Sequence, residues 1–222
     1  HGRHMADGTT ITYVSTDEHR QVIPEVTYRD ASGKVEVFKT DDFKSIPADK
    51  LAKAETRTMD CIDCHNRPTH DFQLPERAVD NAISGRAISV DLPFIKKKAV
   101  EVLKVDYPDR DTARKQIPAA ITAFYQASYP AVYQQHKDQV DQAAQAVLAI
   151  YLRNVFPAMK LTWGVHPNNL GHDDFPGCFR CHDGSHTSAD GKTIPADCDT
   201  CHVLLAQDEK DPKILKDLDL AK

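Results

Sequence analysis

All six cysteines of this 222-residue chain fall in three copies of Cys-x-x-Cys-His. They are Cys61-Ile62-Asp63-Cys64-His65, Cys178-Phe179-Arg180-Cys181-His182 and Cys198-Asp199-Thr200-Cys201-His202. The spacing is that of c-type haem attachment: two thiols add across the porphyrin vinyl groups, and the next histidine meets the iron from the proximal side. Histidine makes up 11 of the 222 residues, so its recurrence after all three pairs has chance odds of roughly one in ten thousand. Cys-x-x-Cys pairs also build zinc ribbons and redox dithiols. A ribbon needs no histidine directly after each second cysteine, and it would leave the first pair without a partner. A thioredoxin-like site wants an alternating β/α pattern, which is missing here. The expectation is three covalently attached haem c groups on Cys61, Cys64, Cys178, Cys181, Cys198 and Cys201, with His65, His182 and His202 as proximal ligands. No cysteine is left for a disulfide or a catalytic thiol.

The sixth iron positions must be drawn from His1, His4, His19, His70, His136, His166, His172 and His186. His70 follows His65 by five residues and His186 follows His182 by four. Five residues reach at most ~18 Å fully extended, which rounding a porphyrin edge would nearly exhaust. Both are therefore better placed to ligate a neighbouring haem than their own. His172 lies among Gly171, Pro176 and Gly177, in a loop able to fold over a ring. His70, His172 and His186 are the three distal candidates, each weighed against an ordinary loop histidine. His166 is the reserve. His136 reads as solvent-facing near a helix start, and His19 as part of a polar turn. His1, His4 and Met5 could complete a haem if they are native rather than a cloning remnant. Methionine there would raise that haem's potential above a bis-histidine value.

The elements that position these residues change character along the chain. Thr10–Val14, Glu25–Tyr28 and Lys34–Phe38 are β-branched or aromatic runs with alternation, and Arg29–Gly33 is a natural hairpin connection. A small antiparallel hairpin or three-stranded sheet is expected there, followed from Asp41 to Thr58 by a linker with a short helix. Helical signals then take over. Pro75 opens a helix to Ser84 with Gly85 as its stop, and Asp91 and Pro93 open another through Lys104. Ile117, Ile121, Phe124 and Ser128 repeat at helical spacing, as do Val140, Ala144, Val147, Tyr151 and Val155. Tyr129-Pro130 separates them into an antiparallel pair. After Pro157 the chain is loop-like, dense in glycine, proline and asparagine.

The fold class read from this is mainly α, with a small N-terminal antiparallel β element and loop-rich haem-binding segments of a multihaem cytochrome c. The division runs 1–57 (β-rich segment and linker), 58–75 (first haem segment), 76–157 (helical insert), 158–206 (two-haem segment) and 207–222 (charged tail), within one compact domain. The second and third motifs start 20 residues apart, so their haems are neighbours. The first starts 117 residues before the second and must be brought in by the fold.

Covalent haem attachment implies export, to the periplasm or beyond. No signal peptide is present, and no run approaches the ~18 apolar residues of a membrane span, so any membrane anchor would lie outside this sequence. The hydrophobic fraction is 41 % and the formal charge −5. Haem faces can replace part of a side-chain core, and propionates add negative charge. Lys96-Lys97-Lys98 is too short a basic run for nucleic acid.

The haem blocks resemble those of bacterial multihaem cytochromes of the NapC/NirT group. The likeness rests on Thr58-Met59-Asp60 through His65-Asn66-Arg67-Pro68-Thr69-His70, on Asn169-Leu170-Gly171-His172, and on Phe175-Pro176-Gly177 through His182-Asp183-Gly184-Ser185-His186. Arg20-Gln21-Val22-Ile23-Pro24 adds to it. The resemblance implies an electron-transfer domain of an anaerobic respiratory chain. The group's N-terminal anchor and its further haem site are not in this sequence.

The function expected is therefore a carrier rather than an enzyme: a three-haem cytochrome in an anaerobic respiratory or extracellular electron-transfer chain. Its partners would be other cytochromes or a membrane quinol-oxidising complex. One alternative is a reductase with one open iron acting on a small nitrogen oxyanion. The other is a structural or assembling subunit of a membrane quinol-oxidising complex.

Overall fold

Thr10-Ile11-Thr12-Tyr13-Val14-Ser15 alternates between two faces, and in the computed structural model it forms β1 (Thr10–Ser15), with Ile11, Tyr13 and Ser15 buried. The structure describes residues 4–219. β1 pairs antiparallel with β2 (Glu25–Arg29), which pairs with β3 (Val35–Lys39). The register sets Tyr13 against Val26 and Val26 against Phe38, so one row of large side chains crosses the sheet on its covered face. In the β2–β3 turn the Asp30 carboxylate accepts from the Ser32 and Lys34 amides.

The sheet is larger than the expected two or three strands. A short helix, α1 (Ala48–Ala52), leads into β4 (Glu55–Thr58), and β5 (Thr187–Ser188) closes the far edge, giving the order β4-β1-β2-β3-β5. Neither edge strand carries an apolar alternation. Glu55-Thr56-Arg57-Thr58 is polar throughout, and β5 is two residues long, so their pairing comes from backbone complementarity at a sheet edge rather than from side-chain pattern.

The described residues form two compact units, 4–65 with 169–219, and Asn66–Asn168. The first unit contains the sheet and all three Cys-x-x-Cys-His motifs. The motif at 61–65 forms α2 (Cys61–Cys64).

The second unit is helical: α3 (Pro75–Ser84), α4 (Ile95–Leu103), α5 (Arg110–Ser128), α6 (Pro130–Gln135) and α7 (Lys137–Asn154). Pro75 sits in the first turn of α3, and the Gly85 amide closes it on the Asn81 carbonyl at 2.8 Å. Asp109 caps α5 by accepting from the Thr112 amide. The break at Tyr129-Pro130 is present, with the six-residue α6 intervening before α7. The apolar faces meet in one core that includes Val79, Leu103, Ile117, Ile121, Val140 and Val147. The buried Tyr107 and Tyr125 hydroxyls donate to the Val102 and Pro93 carbonyls. No described helix is long and apolar enough to cross a membrane. The C-terminal segment carries a short exposed helix, α8 (Lys213–Asp217). His1 and Leu220–Lys222 lie outside the described residues.

Candidate functional site

The three motifs fold alike. In each, the histidine amide donates to the carbonyl of the first cysteine: His65 to Cys61 at 2.8 Å, His182 to Cys178 at 3.0 Å and His202 to Cys198 at 2.9 Å. One helical turn thus carries two thiols and an imidazole together. The turn is α-helical in the first motif and 3₁₀ in the others. Its causes are local. In the first motif Asp60 and Asp63 form a capping box, Asp60 accepting from the Ile62 amide and Asp63 from the Asp60 amide at 2.7 Å. In the second, Pro176 opens the turn and Gly177 adopts φ +50°. The Cys178 amide donates to the Gly171 carbonyl at 2.9 Å, and a Cβ on Gly177 would overlap that carbonyl.

The first two motifs are joined by a buried polar network. Arg180, inside the second Cys-x-x-Cys, donates to the carbonyls of Gly177 (2.8 Å), Arg20 (2.9 Å) and Asp63 (2.8 Å). Asn169 donates to the same Asp63 carbonyl at 3.0 Å. The Asp63 carboxylate in turn accepts from the Tyr13 hydroxyl at 2.6 Å and from Arg57 Nε at 2.7 Å. Burial pushes the Asp63 carboxyl up, but the bonds from Tyr13, the Asp60 amide and Arg57 outweigh it and hold it below the ordinary aspartate range. Burial and the bond to Asp63 raise the Tyr13 phenol. Desolvation pushes the Cys181 thiol up to about 12 and raises Cys64, with Arg180 opposing in both. Arg180, Asp63, Tyr13, Arg57 and Asn169 were not among the sequence candidates. The available signal was a charged residue inside each Cys-x-x-Cys pair; those of the first two, Asp63 and Arg180, are buried, and a buried charge demands a partner.

The candidate histidines are dispersed. His182 Nδ1 lies 2.7 Å from the Pro195 carbonyl, and its Nε2 faces His4 Nε2 at 3.5 Å. Desolvation, and then the facing His182 ring, hold the His4 imidazole below the usual histidine range. His172 stacks on Phe179 with ring centroids 4.2 Å apart, and its ring stands edge-on to His202 at 6.1 Å. His186 is buried, its Nε2 on the Ile23 carbonyl at 2.7 Å and its Nδ1 on Asp183 Oδ1 at 3.1 Å. In the helical unit, His70 and His166 flank Phe72, with centroids at 4.3 and 5.3 Å. His19 lies in the Asp17–Gln21 turn, and His136 is exposed between α6 and α7.

This donor set fits haem c. Each turn offers two reduced thiols three residues apart and an adjacent imidazole. Around them Ile62, Leu170, Phe179, Val203, Leu204 and Leu205 are exposed, a concentration of bare apolar side chains that an apolar disc would cover. Among the described residues, no three His, Cys, Asp or Glu side chains converge on a point that could hold a metal ion.

The chain is similar to a curated c-type cytochrome. That relative is the cytochrome c-type protein ImcH of Geobacter sulfurreducens, 42 % identical over 206 residues, which are 93 % of this chain and 40 % of the relative. The chain therefore spans less than half the length of the relative it matches. No family model matches it, and neither does any solved structure.

Proposed function

We propose that the chain is an electron-transfer domain carrying three covalently attached haem c groups. Cys61, Cys64, Cys178, Cys181, Cys198 and Cys201 would form the thioether links, and His65, His182 and His202 would be the proximal ligands. The observation that carries this reading is the shared turn, with the same histidine-to-cysteine backbone bond in all three motifs. Similarity to a protein named as a c-type cytochrome supports it. When bound, each haem would supply a one-electron couple. The chain's residues orient it, ligate it and exclude water.

His172 is proposed as the sixth ligand of the haem on His202, whose ring it faces. His70 remains the proposed ligand of a further haem. With every sixth position filled by the protein, iron exchanges electrons and has no site for a substrate. Partners would be redox proteins docking through small transient interfaces, with basic rims complementary to the chain's net negative charge. The location would be the periplasm or outside the cell, in an anaerobic respiratory or extracellular electron-transfer chain.

Carbon monoxide added to the dithionite-reduced holoprotein tests the carrier reading. No spectral shift is expected. A stoichiometric shift at one haem would replace the carrier with a reductase that has an open iron.

A further inference from the structure

We propose that His4 is the sixth ligand of the haem on Cys178 and Cys181, opposite His182, and that His186 is a structural residue that ligates no iron. The inference rests on the reading of that motif as a haem site.

The first observation is direction. His182 Nδ1 lies 2.7 Å from the Pro195 carbonyl, which can only accept a hydrogen bond. Nδ1 therefore carries the proton, and Nε2 is left with its lone pair outward, the tautomer a metal-binding imidazole needs. That lone pair points at His4, whose Nε2 is 3.5 Å away.

The second observation is alignment. The two ring centroids are 5.6 Å apart, and the excess over the nitrogen–nitrogen distance is nearly all taken up by the two ring radii. The imidazoles therefore meet nose to nose on a common axis rather than stacking or crossing. A direct N–H···N hydrogen bond would bring the nitrogens to about 3 Å. A metal held between them at ~2 Å from each would set them about 4 Å apart. The observed gap of 3.5 Å lies midway between these values, so the alignment of the two nitrogens rather than their separation carries the reading. The planes are inclined by 63°, which two axial ligands on opposite faces of one ring can adopt freely.

The third observation removes the competitor. His186 is 1 % exposed, and both of its nitrogens are turned to protein oxygens, the Ile23 carbonyl at 2.7 Å and Asp183 Oδ1 at 3.1 Å. Freeing Nε2 for iron would strip the buried Ile23 carbonyl of its partner, and freeing Nδ1 would break the bond to Asp183. The Ile23 bond joins residues 163 apart in sequence. His186 thus fastens the loop after the second motif to the segment before β2.

The test uses the matured holoprotein, with its haem count taken from intact mass and its spin states from EPR. In His4→Ala the haem count should stay at three, one haem should turn from low-spin to high-spin, and that haem should bind carbon monoxide when reduced. His4→Met should keep it low-spin with a raised midpoint potential, because thioether ligation favours the reduced iron. His186→Ala should leave all three haems low-spin even if its unfolding midpoint falls. Three low-spin haems in His4→Ala, or a high-spin haem in His186→Ala, would overturn the assignment while leaving the three-haem reading intact. A mass lacking haem on Cys178 and Cys181 would overturn that reading itself, and the assignment with it.

Discussion

The two units are held together by different physics. In the helical unit, Asn66–Asn168, side chains do the work: Val79, Leu103, Ile117, Ile121, Val140 and Val147 are each fully buried or nearly so in one continuous apolar core. The unit carrying the motifs has a much smaller apolar cluster, centred on Ile11, Tyr13, Ile23 and Val26, with Met59, Cys181 and Ile194 packed against it. Its long-range order runs through polar atoms instead: Arg180 to Asp63 and Arg20, His186 to Ile23, and Asp63 to Tyr13. On the proposed haem reading, a region that surrounds cofactors leaves part of its core to them. What remains must be fixed by directional bonds that define where each turn sits.

The contrast predicts where damage should travel. Ile121→Ala, in the middle of α5, should cost about 2–5 kcal/mol of stability through the cavity it opens. The haem absorption of the folded protein should stay unchanged, so chemical denaturation shows the loss and optical spectra do not. Arg180→Ala should do the reverse in kind. It leaves the Arg20 and Gly177 carbonyls without their donor and the Asp63 carbonyl with Asn169, for a loss of about 2–4 kcal/mol. It should also disturb the spectra and midpoint potentials of the haems proposed on Cys61–Cys64 and Cys178–Cys181, while the proposed third keeps its own. If Arg180→Ala shifted no potential, the network would be scaffolding alone.

The smallest expected effect is a pH response confined to the edge of the motif-bearing unit. The Ser188 hydroxyl, and then Lys192, hold the Asp190 carboxyl down to about 2. A depressed carboxyl contributes stability above its ordinary value of 3.8 and loses it as the pH falls from there toward 2. Hydrogen exchange across Thr187–Thr193 should therefore quicken in that window. Asp190→Asn should abolish the response without changing exchange in α5 or α7.

The sequence made some of this legible and hid the rest for a physical reason. The Cys-x-x-Cys-His spacing is confined to five consecutive residues, so the motifs could be read directly, and the proposed haem sites begin there. Ile117, Ile121 and Val140 announced their helices because burial on one face imposes a 3.6-residue period. β4 gave no such sign, since a polar edge strand needs only a neighbour with free backbone groups. The Arg180–Asp63 bond spans 117 residues and the His182–His4 approach 178, and no local pattern encodes a partner at that distance. His186 shows the limit from the other side. As a histidine near a haem motif it qualified as a ligand, and the proposal that its duty is structural rests on its two oxygen partners.

The central claim is that each of the three turns carries its own haem, and intact mass of the denatured, matured protein tests it most directly. The expected mass is the chain plus three haems, with peptide mapping placing one on each of Cys61–Cys64, Cys178–Cys181 and Cys198–Cys201. Fewer than three in fully matured protein, or a disulfide or zinc ion found on any of these pairs, would contradict it.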